Sequence, residues 1–141
     1  MKKNAIIVSG YFNPLHKGHI EYFTMAKGLA DELIVVVNND KQRLLKGAKE
    51  FMSEDERSLI VSSLKVVDKV YLSIDDDKTV IKTIEMIYSE ISDSYNLIFV
   101  FGGDQNNLSI PEAGICKTLD IKLIDDLGEK IQSSSWLFNK K

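Results

Sequence analysis

At 141 residues and 15.9 kDa, with 44% hydrophobic and 28% charged side chains, residues 1–141 have the size and balance of a single domain with its own core. A formal net charge of -3 argues against a sequence-independent grip on nucleic acid, which needs clustered Lys and Arg, and leaves room for a small anionic ligand held by a local patch. The lone Cys116 excludes an internal disulfide, a zinc cage of cysteines and a CxxC pair, and the apolar run Ala5 to Val8 is too short for a signal or a membrane span, so a soluble cytoplasmic protein is expected.

In chain order, short apolar runs alternate with amphipathic segments, the pattern of a parallel α/β sheet. Ala5-Ile6-Ile7-Val8 reads as a central strand covered on both faces. The corner Gly10-Tyr11-Phe12-Asn13-Pro14-Leu15-His16-Lys17-Gly18-His19 follows, and Ile20, Phe23, Met25 and Leu29 then recur at helical spacing from Gly18 to Ala30. Leu33 to Val37 is a second, β-branched strand, and the stretch from there to Glu50 reads as a basic loop with Lys41, Arg43, Lys46 and Lys49. Ser53-Glu54-Asp55-Glu56 has capping-box spacing and opens a second helix through Leu64. Val66-Val67 and Val70 to Leu72 predict a third strand interrupted by Asp68-Lys69. Asp75-Asp76-Asp77 reads as a solvated start to a helix over Lys78 to Ile91 rather than a metal site. Leu97 to Phe101 is a fourth strand stopped by Gly102-Gly103-Asp104, Pro111 opens a short helix to about Leu119, and Ile121 to Ile124 is a fifth strand. Ser133-Ser134-Ser135 caps a final helical turn, with Trp136 a packing or subunit-contact residue, which leaves room for a homodimer.

Five parallel strands with right-handed crossovers predict a doubly wound sheet, and the order 3-2-1-4-5 places its switch point between strands 1 and 4. The histidine corner follows strand 1 and Gly102-Gly103-Asp104-Gln105 follows strand 4, so both converge on one crevice. Both histidines of the chain sit in that corner, three residues apart near a helix start, where two imidazoles share one face and free helix amides add donors. Gly18 between them lacks the side chain that would block close approach of a phosphate.

His16-Lys17-Gly18-His19, preceded by Gly10-x-Phe12-Asn13-Pro14 and followed by Ser133-Ser134-Ser135, resembles the HxGH nucleotidyltransferase superfamily, and within it the cytidylyltransferase-like family of glycerol-3-phosphate cytidylyltransferases and heptose-phosphate adenylyltransferases. Val37 to Asp40, Lys46-Gly47, Glu56-Arg57, Val67-Asp68 and Gly102 to Asp104 stand where those enzymes have similar segments. The resemblance implies a Rossmann-like fold and in-line attack of a small phosphorylated or phosphonate acceptor on the α-phosphate of CTP or ATP, with release of pyrophosphate.

By the same resemblance His16, His19 and Lys46 are the catalytic residues. Gly10, Tyr11, Phe12, Asn13, Gly18, Gly103, Asp104, Gln105, Ser133, Ser134 and Ser135 bind nucleotide, and Arg57 and Lys65 hold phosphate or acceptor. Magnesium is expected to arrive with the triphosphate rather than in a protein cage. The family's glycerol-3-phosphate branch carries an arginine before its final serine-threonine run, and Gly128 to Gln132 has none here. The lean toward a cytidylyl donor is therefore slight, with the heptose-phosphate adenylyltransferase type as the alternative and a non-catalytic nucleotide-binding module as the alternative of another class.

Overall fold

The computed structural model describes residues 2–47, 49–50, 52–100 and 111–124. In chain order these form β1 (Lys3–Gly10), α1 (Lys17–Lys27), β2 (Glu32–Val37), α2 (Asp40–Lys46), α3 (Glu54–Ser62), β3 (Lys69–Leu72), α4 (Ile81–Ile91), β4 (Tyr95–Val100), α5 (Ala113–Thr118) and β5 (Lys122–Ile124). The described strands make one sheet in the order β3-β2-β1-β4-β5, and every pairing is parallel. This is the doubly wound order that the alternation of elements predicts.

Burial follows the two-residue period of the strands. Ile6 and Val8 of β1, with Leu33, Val35 and Val37 of β2, pack under Phe23 and Ala26 of α1 and Val61 of α3. Ala5 and Ile7, with Ile34 and Val36, face the other way, against Ile84 and Ile87 of α4 and Cys116 of α5. Helices thus cover both faces, which is why the central strands read as continuous apolar runs instead of alternating. Cys116 is a small buried core residue, and burial first, with the nearby Glu112 charge, pushes its thiol up to about 12.

Two segments depart from the sequence reading. The basic stretch after β2 is not all loop: Asn39 and Gln42 form a capping box, the Asn39 side chain accepting from Gln42 N at 2.8 Å and Gln42 Oε1 accepting from Asn39 N at 2.9 Å, and α2 starts there. The Asp75 end of the acidic run is not solvated. Asp75 is 2% exposed and accepts from Lys82 N, Thr83 N and Thr83 Oγ1, so its carboxylate meets the free amides at the start of α4, which begins at Ile81 rather than Lys78. Asp76 and Asp77 are exposed, as expected of such a run. Val66 and Val67 lie before β3 and pack against the core from the turn. No helix among the described residues is long and apolar enough to cross a membrane.

Candidate active site

β1 and β2 end side by side: Gly10 pairs with Val37, and Asn38 N donates to Gly10 O at 2.8 Å. The two chains leaving these ends build the site. The first carries the histidines. At its base the Phe12 ring lies across Gly10, so close that a Cβ on Gly10 would stand 2.8 Å from the ring, and Phe12 itself takes the left-handed backbone at φ 53. Buried Phe12 meets His19 edge to face at 5.0 Å and Phe23 at 5.3 Å, anchoring the corner to the core.

His16 is the N-cap of α1 in extended backbone, and its Nδ1 accepts from Gly18 N at 3.1 Å. His19, at the third helical position, returns the bond, its Nδ1 accepting from His16 N at 3.1 Å. A capping box usually pairs Ser or Thr with Glu or Gln. Here two imidazoles form it, and their rings stack 4.0 Å apart at 33°. A ring nitrogen that accepts an N–H carries no proton, so each neutral imidazole bears its proton on Nε2, the donor left for a ligand. Burial first, and the neighbouring His16 second, lower the His19 pKa to about 4.

Gly18 serves this arrangement. A Cβ there would lie 2.9 Å from His16 Cε1 and 3.2 Å from its Nδ1, so the glycine makes room for the His16 ring. On the sequence reading Gly18 makes room for a phosphate; in the structure a side chain there would also meet the His16 imidazole.

The second chain carries Lys46, in the last turn of α2, which closes on Gly47 in the left-handed conformation at φ 81. Lys46 Nζ sits 4.5 Å from the centre of the Tyr11 ring. Gly10, Tyr11, Phe12, Asn13, Pro14, His16, His19 and Lys46 together line an open cleft of about 420 Å³. Asn13 ties the two chains together. Its Nδ2 donates to Lys49 O at 2.7 Å and its Oδ1 accepts from Met52 N at 2.9 Å.

The two remaining sequence candidates among the described residues fall elsewhere. Arg57 is fully buried, with its guanidinium bonded to four protein oxygens, on Met52, Tyr11, Asn38 and Asp40. Lys65 is exposed in the turn between α3 and β3, where Asp68 N bonds Leu33 O near the start of β2, so it lies at the opposite edge of the sheet from the cleft. An α-to-β turn in a parallel sheet falls at the strands' amino ends, which is why helical reach alone could not bring it to the histidines. Gly103, Asp104, Gln105, Ser133, Ser134 and Ser135 lie outside the described residues. Sequence reasoning missed Asp40, the partner of Arg57 seventeen residues away, and Gln42, because a polar residue in a basic stretch gives no sign of burial.

A parallel α/β sheet with a two-histidine helix start at its carboxyl edge defines a domain of the HxGH nucleotidyltransferase class. The chain belongs to the cytidylyltransferase-like family, which matches it over residues 7–119. It is 36% identical over 86 residues to an FAD synthase of Picrophilus torridus, covering 61% of this chain and 60% of that protein. It is also 32% identical over 126 residues to the bifunctional protein HldE of Campylobacter concisus, covering 88% of this chain and 24% of HldE. The chain thus spans less than two thirds of the FAD synthase's length and about a quarter of HldE's. Among solved structures, the lipopolysaccharide core biosynthesis protein of Thermoplasma volcanium superposes with a TM-score of 0.65 at 28% identity, over 87% of this chain and 95% of that one.

Proposed function

We propose that this chain transfers a nucleotidyl group from a nucleoside triphosphate to a small phosphorylated acceptor. The acceptor's phosphate oxygen attacks the α-phosphorus in line, the bond to the bridging oxygen breaks, and pyrophosphate leaves. The observation that carries this reading is the two-histidine capping box, which leaves the Nε2–H of both rings as donors in a cleft that Lys46 also lines. Charge that develops on the α-phosphate oxygens and on pyrophosphate meets donors already fixed by backbone bonds, so little reorganisation is needed as the reaction proceeds. The Lys46 ammonium is a point charge on a flexible stem, able to leave the Tyr11 ring for the outer phosphates. The cleft's side chains suit an anion, and magnesium would be held by the triphosphate's own oxygens, supplying charge neutralisation there. Gly103, Asp104, Gln105 and Ser133 to Ser135 complete the proposed nucleotide contacts by family resemblance.

ATP is the favoured donor. The FAD synthase relative by its name makes a product that contains an adenylyl group. The description of the family supports CTP as the second reading. Pyrophosphate release, measured with ATP and with CTP against phosphorylated alcohols, sugars and phosphonates, separates the two. His16→Ala and His19→Ala should each lower turnover by about 10² to 10³ with the productive pair, the scale of one lost preorganised donor. Activity within threefold of wild type in both variants would remove the assignment, and tight nucleotide binding without release for any acceptor would leave a binding module.

A further inference from the structure

Among the described residues Arg57 is the largest side chain with no exposed surface, and its position is unusual for a charge. Its Nε donates to Met52 O at 3.0 Å, Nη1 to Tyr11 O at 2.8 Å and to Asn38 O at 2.6 Å, and Nη2 to Asp40 Oδ1 at 2.7 Å. Those four acceptors belong to four different segments: the histidine corner, the end of β2, the start of α2 and the approach to α3. Removing a charge from water is costly unless it is paired and bonded, and here both conditions hold inside the protein, with four of the guanidinium's five N–H groups spent on protein oxygens and the side chain out of contact with solvent.

We infer that the buried Arg57–Asp40 pair is a positioning device for the transfer site, holding the histidine corner and the Lys46 helix in one arrangement without touching substrate. Three arms lead from it to groups that line the cleft. Through Tyr11 O it holds the residue before Phe12, whose ring edge meets His19. Through Met52 it reaches Asn13, which accepts from Met52 N and donates to Lys49 O. Through Asp40 it fixes the first residue of α2, whose last residue is Lys46.

Asp40 is itself locked, because α2 and α3 cap each other. Glu54 Oε1 accepts from Asp40 N at 2.8 Å, and Asp40 Oδ2 accepts from Glu54 N at 3.2 Å. A planar guanidinium can meet four oxygens in fixed directions, which an ammonium cannot. The inference takes the meaning of the site from the proposed transfer reaction, but its geometry stands apart from it.

The test compares wild type with Arg57→Lys, Asp40→Asn and the double variant by two readouts, the His19 imidazole titration followed by NMR without ligand and steady-state pyrophosphate release with ATP. If the pair positions the corner, both single variants raise the His19 midpoint from about 4 toward its ordinary 6.5, by about one pH unit, and lower kcat about 10- to 100-fold while KM for ATP stays within about threefold. The double variant is then no worse than the worse single one, since both break the same unit.

The inference falls if Arg57→Lys raises KM for ATP about tenfold or more with kcat and the His19 midpoint unchanged, because Arg57 would then be meeting phosphate directly. It falls equally if Asp40→Asn moves neither readout. Should Arg57→Lys fail to fold by circular dichroism, Asp40→Asn decides alone, its side chain being 29% exposed and less demanding of the core. If wild type neither binds nor turns over ATP or CTP, the transfer reading is lost, whereas the His19 midpoints still decide whether the pair holds the corner.

Discussion

Gly18 shows how narrowly the site is fixed at the scale of single residues. It occupies the second position of α1, where alanine would be the better helix former by up to about 1 kcal/mol. The obstacle is the His16 ring, 2.9 Å from where a Cβ would stand. An imidazole at the end of a side chain can swing aside at little cost to folding, but doing so breaks its bond from Gly18 N and moves its Nε2–H out of line. Gly18→Ala should therefore leave the melting temperature within a few degrees of wild type, the alanine's helix preference offsetting the lost cap bond, while lowering pyrophosphate release by about 10². Equal loss of stability and activity would mean that the glycine serves the backbone and not the ring. The histidine spacing was legible in the sequence because a three-residue step near a helix start always brings two side chains to one face. The capping role of the rings was not, since histidine is not a usual cap.

Among the elements, the strands were the most legible and the capped loops the least. Leu33 to Val37 is rich in β-branched residues and buried on both faces, so composition and environment agree. The stretch after it carries a capping box, Asn39 with Gln42, hidden among Lys41, Arg43 and Lys46, and only the fold reveals that Gln42 is buried. Gln42 makes four further or shared contacts there: Oε1 accepts from Asn38 Nδ2 and Asn39 N, while Nε2 donates to Asp77 O at 2.8 Å and Thr79 O at 2.7 Å. It joins α2 to the loop before α4. Gln42→Ala strands those two carbonyls and removes half of the capping box, so a loss of about 2 to 4 kcal/mol in urea unfolding is expected, with Lys46 left less firmly placed. A change below about 0.5 kcal/mol would show that water replaces the amide freely. Asp75 failed for the same reason as Gln42: three consecutive aspartates look solvated, and nothing local marks which one the chain will fold over.

At the scale of the whole molecule, the β3-β2-β1-β4-β5 order gathers the loops after β1 and β2 on one edge, and long-range polar bonds then hold those loops in place. Titrating groups at both ends of the sheet make the protein's stability depend on pH in two separate windows. His19 binds its proton near pH 4 in the folded protein and near 6.5 when unfolded, so between these values the unfolded chain holds more protons and stability falls as pH falls. Asp40 and Asp68 behave differently. Partial burial would raise their pKa values, but hydrogen bonds and charges from Arg57 to Asp40 and from Lys27 to Asp68 prevail and hold them below the ordinary 3.8. Their stabilisation is complete above about 3.8 and is lost only as pH drops through the lowered values. Urea midpoints measured from pH 7.5 to 3 should thus be level above about 6.5, decline from there to about 4, and decline again below that. His19→Gln isolates the first window, because glutamine at the third helical position can still accept from His16 N but does not titrate. Its midpoint should stay level down to about pH 4 and then fall with wild type, and parallel curves for the two proteins across pH 6.5 to 4 would show that His19 is not held neutral by the corner.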